Sequence, residues 1–188
     1  MKYILKRYNS ESIRQVRKMY DKLTESDIKK MQEELEHRKL VVRKEAIEAV
    51  KEARSFGDLS ENFEYYAAKQ AKNQNESRIR YLENMIKTAH IIKDNSADDE
   101  VGINKRVEVL FEDDDETEEY KIVTSVRGDS LEGRITPESP LGAALMGHKA
   151  GDRVEVKVKA KDSETSYFIK ILNVKNTGEE AGDVLRSF

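Results

Sequence analysis

From Thr24 onward, apolar side chains recur mostly at steps of three and four. Ile28, Met31, Leu35, Val42, Ala46, Ala49 and Ala53 make one narrow stripe with charge on every other side. That period predicts an amphipathic helix. Thr24, Ser26 and Asp27 can each cap its start, and no proline or glycine interrupts Asp27 to Ser55. Such a helix is roughly 40 Å long. A second stripe, Phe63, Ala67, Ala71, Ile79, Leu82, Ile86 and Ala89, runs to about Ile92. Two narrow stripes joined by a short turn predict an antiparallel coiled-coil hairpin over 23–93. Alanines near the turn let the arms approach closely. Gln70, Gln74 and Ser77 interrupt the second stripe and weaken the seam at mid-length.

The period then changes. Residues 94–105, DNSADDEVGINK, have no helical repeat and read as a linker. Beyond them the alternation is that of strands: Arg106–Phe111, Tyr120–Val126, Leu131–Thr136, Asp152–Lys159 and Ser166–Val174. Ser139 as cap, Pro140 in the first helical position and Gly147 as stop predict one short helix. The fold class is therefore α+β, a long helical hairpin followed by a small antiparallel sheet with one helix. The run from Glu112 to Glu119 reads as a solvated loop between strands, lacking the glycine and spacing of a calcium loop. Residues 176–188 read as a loose tail, and residues 1–22, rich in Lys and Arg, as a basic extension.

Composition supports this division. Charged residues make up 38% of the 188 and the hydrophobic set only 37%, too polar for one compact core. The net charge of −3 leaves nucleic-acid contact to local patches. With no cysteine, disulfides, thiolate metal sites and thiol nucleophiles are excluded. His37, His90 and His148 have no ligand-like spacing. The apolar run Tyr3–Leu5 is too short for a signal peptide, and no stretch approaches the roughly 20 apolar residues of a membrane span. A soluble, cytoplasmic chain with no membrane partner is expected.

Candidate chemistry sits in ARSFGDLSENFEYYAAKQ, residues 53–70. Asp58 and Glu61 stand three apart where the second helix is expected to begin. Spacing leaves two readings open. Asp58 or Ser60 can cap the helix, with Glu61 complementing its dipole. Alternatively, the two carboxylates share a hard divalent cation such as Mg²⁺ with water or phosphate. Gly57 fits a tight turn, and Glu64 is support at best. Arg54, Lys51, Arg43 and Lys44 on one arm, with Lys69 and Lys72 on the other, give the acidic tip basic flanks suited to a phosphate backbone. In the second half, Leu141, Leu145 and Met146 either cover the sheet core or form a docking patch.

Two stretches carry a family resemblance. EAVKEARSFGDLSENFEYYAAKQ resembles the bacterial Gre transcript cleavage factors, and ITPESPLGAALMGHKAGDRVEV, residues 135–156, resembles the signature of their second domain. The likeness runs from about Leu23 to Val174. It implies a coiled coil followed by an FKBP-like domain at residues 106–175. That domain would sit at the rim of the RNA polymerase secondary channel, with the coiled coil entering it. Asp58 and Glu61 match the family's acidic pair. As the catalytic residues they would share a Mg²⁺ held in the polymerase active site, no cofactor being bound by the chain alone. Arg54 and Lys69 match basic residues that steer the 3′ end of backtracked RNA, and Tyr65 matches a tip-proximal aromatic. Gly57 and Ser60 support the tip.

The resemblance implies a monomeric accessory factor, not an enzyme, that makes the polymerase hydrolyse its own transcript. The alternatives are a channel-binding regulator without cleavage and a prolyl isomerase. The intact tip disfavours the first. The lack of Trp and scarcity of aromatics in the sheet half disfavours the second.

Overall fold

The computed structural model describes residues 22–56, 62–159, 164–180 and 182–186. The expected basic extension, up to residue 21, lies outside them. The described residues divide into a helical unit, within 25–90, and a sheet unit that comprises 22–24 and those from Ile91 onward. Among the described residues no helix is long and apolar enough to cross a membrane.

The first arm of the helical unit is α1 (Glu25–His37), a π-helical turn (Arg38–Val42) and α2 (Arg43–Ser55); the second is α3 (Phe63–Thr88). They run antiparallel, since Glu34 meets Arg78, Arg43 meets Glu76 and Asn62 meets Ala53. The uninterrupted helix expected over 27–55 is thus broken in type. The Arg43 N–H reaches back five residues to the Arg38 carbonyl, which is the π pattern. The turn falls in the seven-residue gap of the apolar stripe between Leu35 and Val42, and leaves Leu40 67% exposed.

The second stripe also needs correction at its start. Phe63, Ala67 and Ala71 are exposed, whereas Tyr65, Ala68, Lys72 and Asn75 face inward. From Ile79 the expected stripe turns inward, with Ile79 and Leu82 buried and Ile86 and Ala89 half-buried, and Met85, which the stripe did not include, is buried beside them. Gln70, Gln74 and Ser77 are exposed and do not enter the seam. Its polar middle is built by other residues. Arg78 donates to both Glu34 oxygens at 2.9 and 2.8 Å. Arg38 donates to Glu34 at 2.6 Å and to the Asn75 side chain at 3.2 Å. Arg43 grips Glu76 through two bonds, 2.7 and 2.8 Å. Burial pushes the Glu34 carboxyl up, but the hydrogen bonds and charges of Arg78 and Arg38 more than reverse this, so it titrates below the ordinary range.

The strands are β1 (Lys22–Leu23), β2 (His90–Ile91), β3 (Lys105–Phe111), β4 (Glu116–Ile122), β5 (Arg134–Ile135), β6 (Arg153–Lys159) and β7 (Glu164–Asn176). Five of them form one sheet in the order β5-β4-β3-β7-β6. Its pairs are antiparallel except β4 with β5, which run parallel, so the all-antiparallel expectation holds for four strands only. Val107, Val109, Ile122, Ile135, Val154, Val156, Ile169 and Ile171 make the core. A short helix, α4 (Pro140–Leu145), is capped as expected: the Ser139 hydroxyl accepts from the Gly142 N–H at 3.0 Å. Gly147 follows with φ of 80°. The acidic run is half strand, because Glu116–Glu119 pair with β3 and only residues 112–115 turn.

Two segments that look structureless in sequence are fastened to the sheet. In the stretch 94–104, Val101 and Ile103 join the core. The buried Lys105 ammonium holds the same stretch by donating to the carbonyls of Ser96, Ala97 and Glu100. The expected loose tail is likewise clamped. Asp183 forms a buried pair with Lys121 at 2.7 Å, and the Arg186 N–H donates to the Val126 carbonyl at 2.8 Å.

A carboxylate with a lowered native pKa stabilises the fold above its ordinary value, 4.5 for Glu34, and the contribution is lost as pH falls through the native value. Helical circular dichroism in urea should therefore give a steady midpoint from neutrality to about pH 5 and a falling one below. Glu34→Gln should cost about 1–3 kcal/mol at neutral pH, because Arg78 loses a charged acceptor, and should flatten that acid limb.

Candidate functional site

The described ends of the two arms are held by one side chain. The Asn62 amide donates to the Ala53 carbonyl on the first arm at 2.8 Å. Its oxygen accepts the Tyr65 N–H at 2.9 Å, capping α3. The Asn62 carbonyl accepts the Tyr66 N–H at 3.2 Å. Ala53, 5% exposed, gives the closeness this needs. Gly57, Asp58, Ser60 and Glu61 lie outside the described residues, between Phe56 and this clamp. The cap that sequence offered to Asp58 or Ser60 is supplied by Asn62. Helix α3 therefore does not require either side chain. The signal for Asn62 was present, an N-cap residue type directly before a helical period, but the carboxylates nearby drew the reading away from it.

Two other expected residues are brought together. The Lys69 ammonium lies 5.7 Å from the centroid of the Tyr65 ring, a cation–π distance. Tyr65 in turn meets Tyr66 edge to face, centroids 5.8 Å apart. Half-buried Tyr65 thus supports Lys69 from beneath, while Arg54 is exposed on the other arm. The wider basic flank is thinner than the sequence suggests. Arg43 is committed to Glu76 and Lys51 to Glu48.

Sequence reasoning missed the exposed rings. Phe63 is 85% and Phe56 66% exposed, one on each side of the 57–61 segment, and Tyr66 is 53% exposed. Aromatic faces beside cations can stack on bases of a single strand. Among the described residues no group of three or more His, Asp or Glu could hold a metal. The expected donors, Asp58 and Glu61, lie outside the described residues; carboxylates are hard oxygen donors of the kind that suit Mg²⁺.

The expected docking residues of the sheet unit divide. Leu145 is fully buried, and Leu141 and Met146 pack half-buried against the same core. Leu145 is therefore core and offers a partner nothing. Leu131, in the 3₁₀ turn Ser130–Glu132, is 97% exposed and stands free for contact.

Two family models match in order. The first, described as "Transcription elongation factor, N-terminal", covers residues 21–91. The second, "Transcription elongation factor, GreA/GreB, C-term", covers residues 95–176. The transcription elongation factor GreA of Bacillus licheniformis is 47% identical over 136 residues, spanning 72% of this chain and 86% of its own length. That of Clostridium kluyveri is 45% identical over 154 residues, spanning 81% and 94%. A solved structure, GreA factor homolog 1 of Thermus thermophilus, matches at 24% identity and a TM-score of 0.37, covering 81% of this chain and 97% of its own.

Removing the Asn62 side chain should loosen the arm ends without unfolding the rest. Asn62→Ala should cost about 1 kcal/mol, the ordinary worth of an N-cap. By hydrogen exchange, the Tyr65 and Tyr66 amides should lose protection while those of Leu82 and Met85 keep it.

Proposed function

The chain belongs to the GreA/GreB family of transcription elongation factors, and on that premise we propose that it makes RNA polymerase cleave its own backtracked transcript. It acts on the polymerase as an accessory factor and is not itself an enzyme. In this reading the helical unit is a coiled-coil hairpin that enters the secondary channel as a monomer. The sheet unit is an FKBP-like domain that stays at the rim, and the 3′ end of the RNA meets the tip. One observation carries the proposal. The Asp58-Leu59-Ser60-Glu61 sequence falls between arm ends that Asn62 pins together, and Asn62 rather than either acid supplies the cap of the second arm.

The residues fit that task. Asp58 and Glu61 would hold a Mg²⁺ jointly with the polymerase, each giving carboxylate oxygens. Such an ion, when bound, lowers the pKa of a coordinated water and draws charge from the phosphodiester. Lys69, braced by Tyr65, and Arg54 would neutralise the backbone of the displaced 3′ end and fix its register. Phe56 and Phe63 would offer faces to its bases. The chain's contribution is placement. A slender pair of helices carries two charges to a site that already holds the reacting bond, and orientation of this kind can supply much of a barrier.

The test is a stalled, backtracked polymerase with RNA labelled at its 3′ end. Addition of the protein with Mg²⁺ should release a short 3′ fragment and restore elongation. Asp58→Asn or Glu61→Gln should slow release by about a hundredfold or more, the scale of losing one group that stabilises developing charge, while polymerase binding persists. Binding without fragment release by the unaltered chain would point to a channel-blocking regulator instead.

A further inference from the structure

The sheet unit carries a second charged site, remote in sequence from the tip. Strand register sets Lys175, Arg106, Lys121 and Arg134 directly opposite one another across β7, β3, β4 and β5. Residues so paired share a face, here the one away from Val107, Ile122 and Ile135 of the core. Neighbouring strands lie about 4.8 Å apart, and like charges directly opposite destabilise a sheet. A cationic row of this kind calls for anions laid across it.

The segment Thr177–Arg186 supplies them. Glu180 reaches Arg106 at 2.7 Å and Lys121 at 3.1 Å. Asp183 accepts from Lys121 at 2.7 Å and lies 3.6 Å from Arg127. Arg134 donates to the Gly182 carbonyl. The segment presents the two acids on one closed turn, in which the Asp183 N–H donates to the Glu180 carbonyl at 3.0 Å and the Glu180 N–H to the Asp183 carboxylate at 2.9 Å. Lys121 and Asp183 are each only 3% exposed and Arg127 is fully buried. Within the sheet, Glu119 also pairs with Arg106 and Glu132 with Arg134.

The hold is ionic rather than apolar. Val184 is 58% exposed, and a cavity of about 130 Å³ remains among Arg106, Lys121, Arg134 and Glu180. A contact made of charge and left imperfectly filled can be exchanged for another of the same chemistry. The match to the family's second domain ends at residue 176, and this segment lies beyond it.

We propose that the cationic row Arg106–Lys121–Arg134 is a docking site for an acidic peptide with carboxylates three residues apart, filled in the free chain by its own segment Thr177–Arg186. The site is independent of transcript cleavage. Because the segment follows β7 directly, it competes at the high effective concentration of a short tether, and an outside peptide binds only when it lifts. A ligand of carboxylates, rather than nucleic acid, is favoured because two carboxylates and a peptide carbonyl are what the site holds.

The probe is a fluorescein-labelled synthetic peptide of sequence 177–186, its binding read by anisotropy on the full-length protein. Glu180→Gln with Asp183→Asn in the chain should open the site and raise peptide affinity at least about tenfold over the unaltered protein. Adding Lys121→Met should abolish the gain, and rising salt should weaken it. Equal binding by the opened and unaltered chains would overturn the proposal. So would displacement of the peptide by single-stranded RNA at lower concentration than by unlabelled peptide. Should the opened variant fail to fold, hydrogen exchange on the unaltered chain decides. The Glu180, Asp183 and Arg186 amides should lose protection at high salt while Val109 keeps it. Protection that salt leaves unchanged would mark the segment as a fixed part of the fold and refute exchange.

Discussion

The ion pair between Glu34 and Arg78 sets the terms for the helical unit. Two packed helices share a seam only about one side chain wide, and a strip that narrow buries little apolar surface per residue. Its apolar contacts also tolerate sliding, since one turn of alanines or leucines resembles the next. A carboxylate that meets one guanidinium across the seam and another on its own arm has one satisfactory register. Displacement by a turn would leave Arg78, 9% exposed at its side chain, without its acceptor. A buried ion pair is a weak source of net stability, and its best-attested use is in fixing register. Asn75, 3% exposed and bonded to Arg38, extends the same device along the seam.

The π turn follows from the same constraint. It lies beside this polar cluster, with Arg38 as its first residue. A π turn inserts extra backbone without ending the helix, so apolar residues on either side return to the seam despite the seven-residue gap in the stripe. Nothing in residue type announces such a turn, since RKLVV reads as ordinary helix. This is why the sequence predicts one helix from Asp27 to Ser55. The exposed Leu40 and Val41 are the trace that it leaves.

The legible and illegible parts of the chain differ in physical kind. Periodicity located both arms and the strands β3, β6 and β7, because each displays its burial directly along the chain, while cap and stop residues located the helix α4. It misplaced the inward line of α3 near its start. There a clamp by Asn62, and not apolar burial, sets which face turns inward, so Phe63 stands out and Tyr65 in. It also read 94–105 as linker and the last residues as tail. Both are fastened in part by ionic or polar contacts between residues far apart, such as Lys149 with Asp99 and Lys121 with Asp183. Pairings of that kind have no period. At the candidate site the residue types were legible, but the Lys69–Tyr65 contact and the bracing role of Asn62 are specific pairings that leave no period in the chain.

The two faces of the sheet show how charge can do work that apolar residues do elsewhere. One face alternates Val107, Val109, Ile122 and Ile135 into a core. The other puts Arg106, Lys121 and Arg134 in register, where repulsion would oppose strand pairing unless anions lie close. Glu119 and Glu132 meet part of that need from within the sheet, and Glu180 and Asp183 meet the rest from a crossing segment. Burial pushes the Asp183 carboxyl up, yet the Lys121 hydrogen bond, the Glu180 amide and the nearby charges of Lys121 and Arg127 hold it below the ordinary range. The charged form of this carboxylate is therefore favoured despite its burial. A similar matching of charge runs along the arms of the helical unit. Arg43, Arg78 and Lys39 are matched by Glu76, Glu34 and Glu83 along the seam. These pairs hold the two arms to each other by charge as well as by apolar burial.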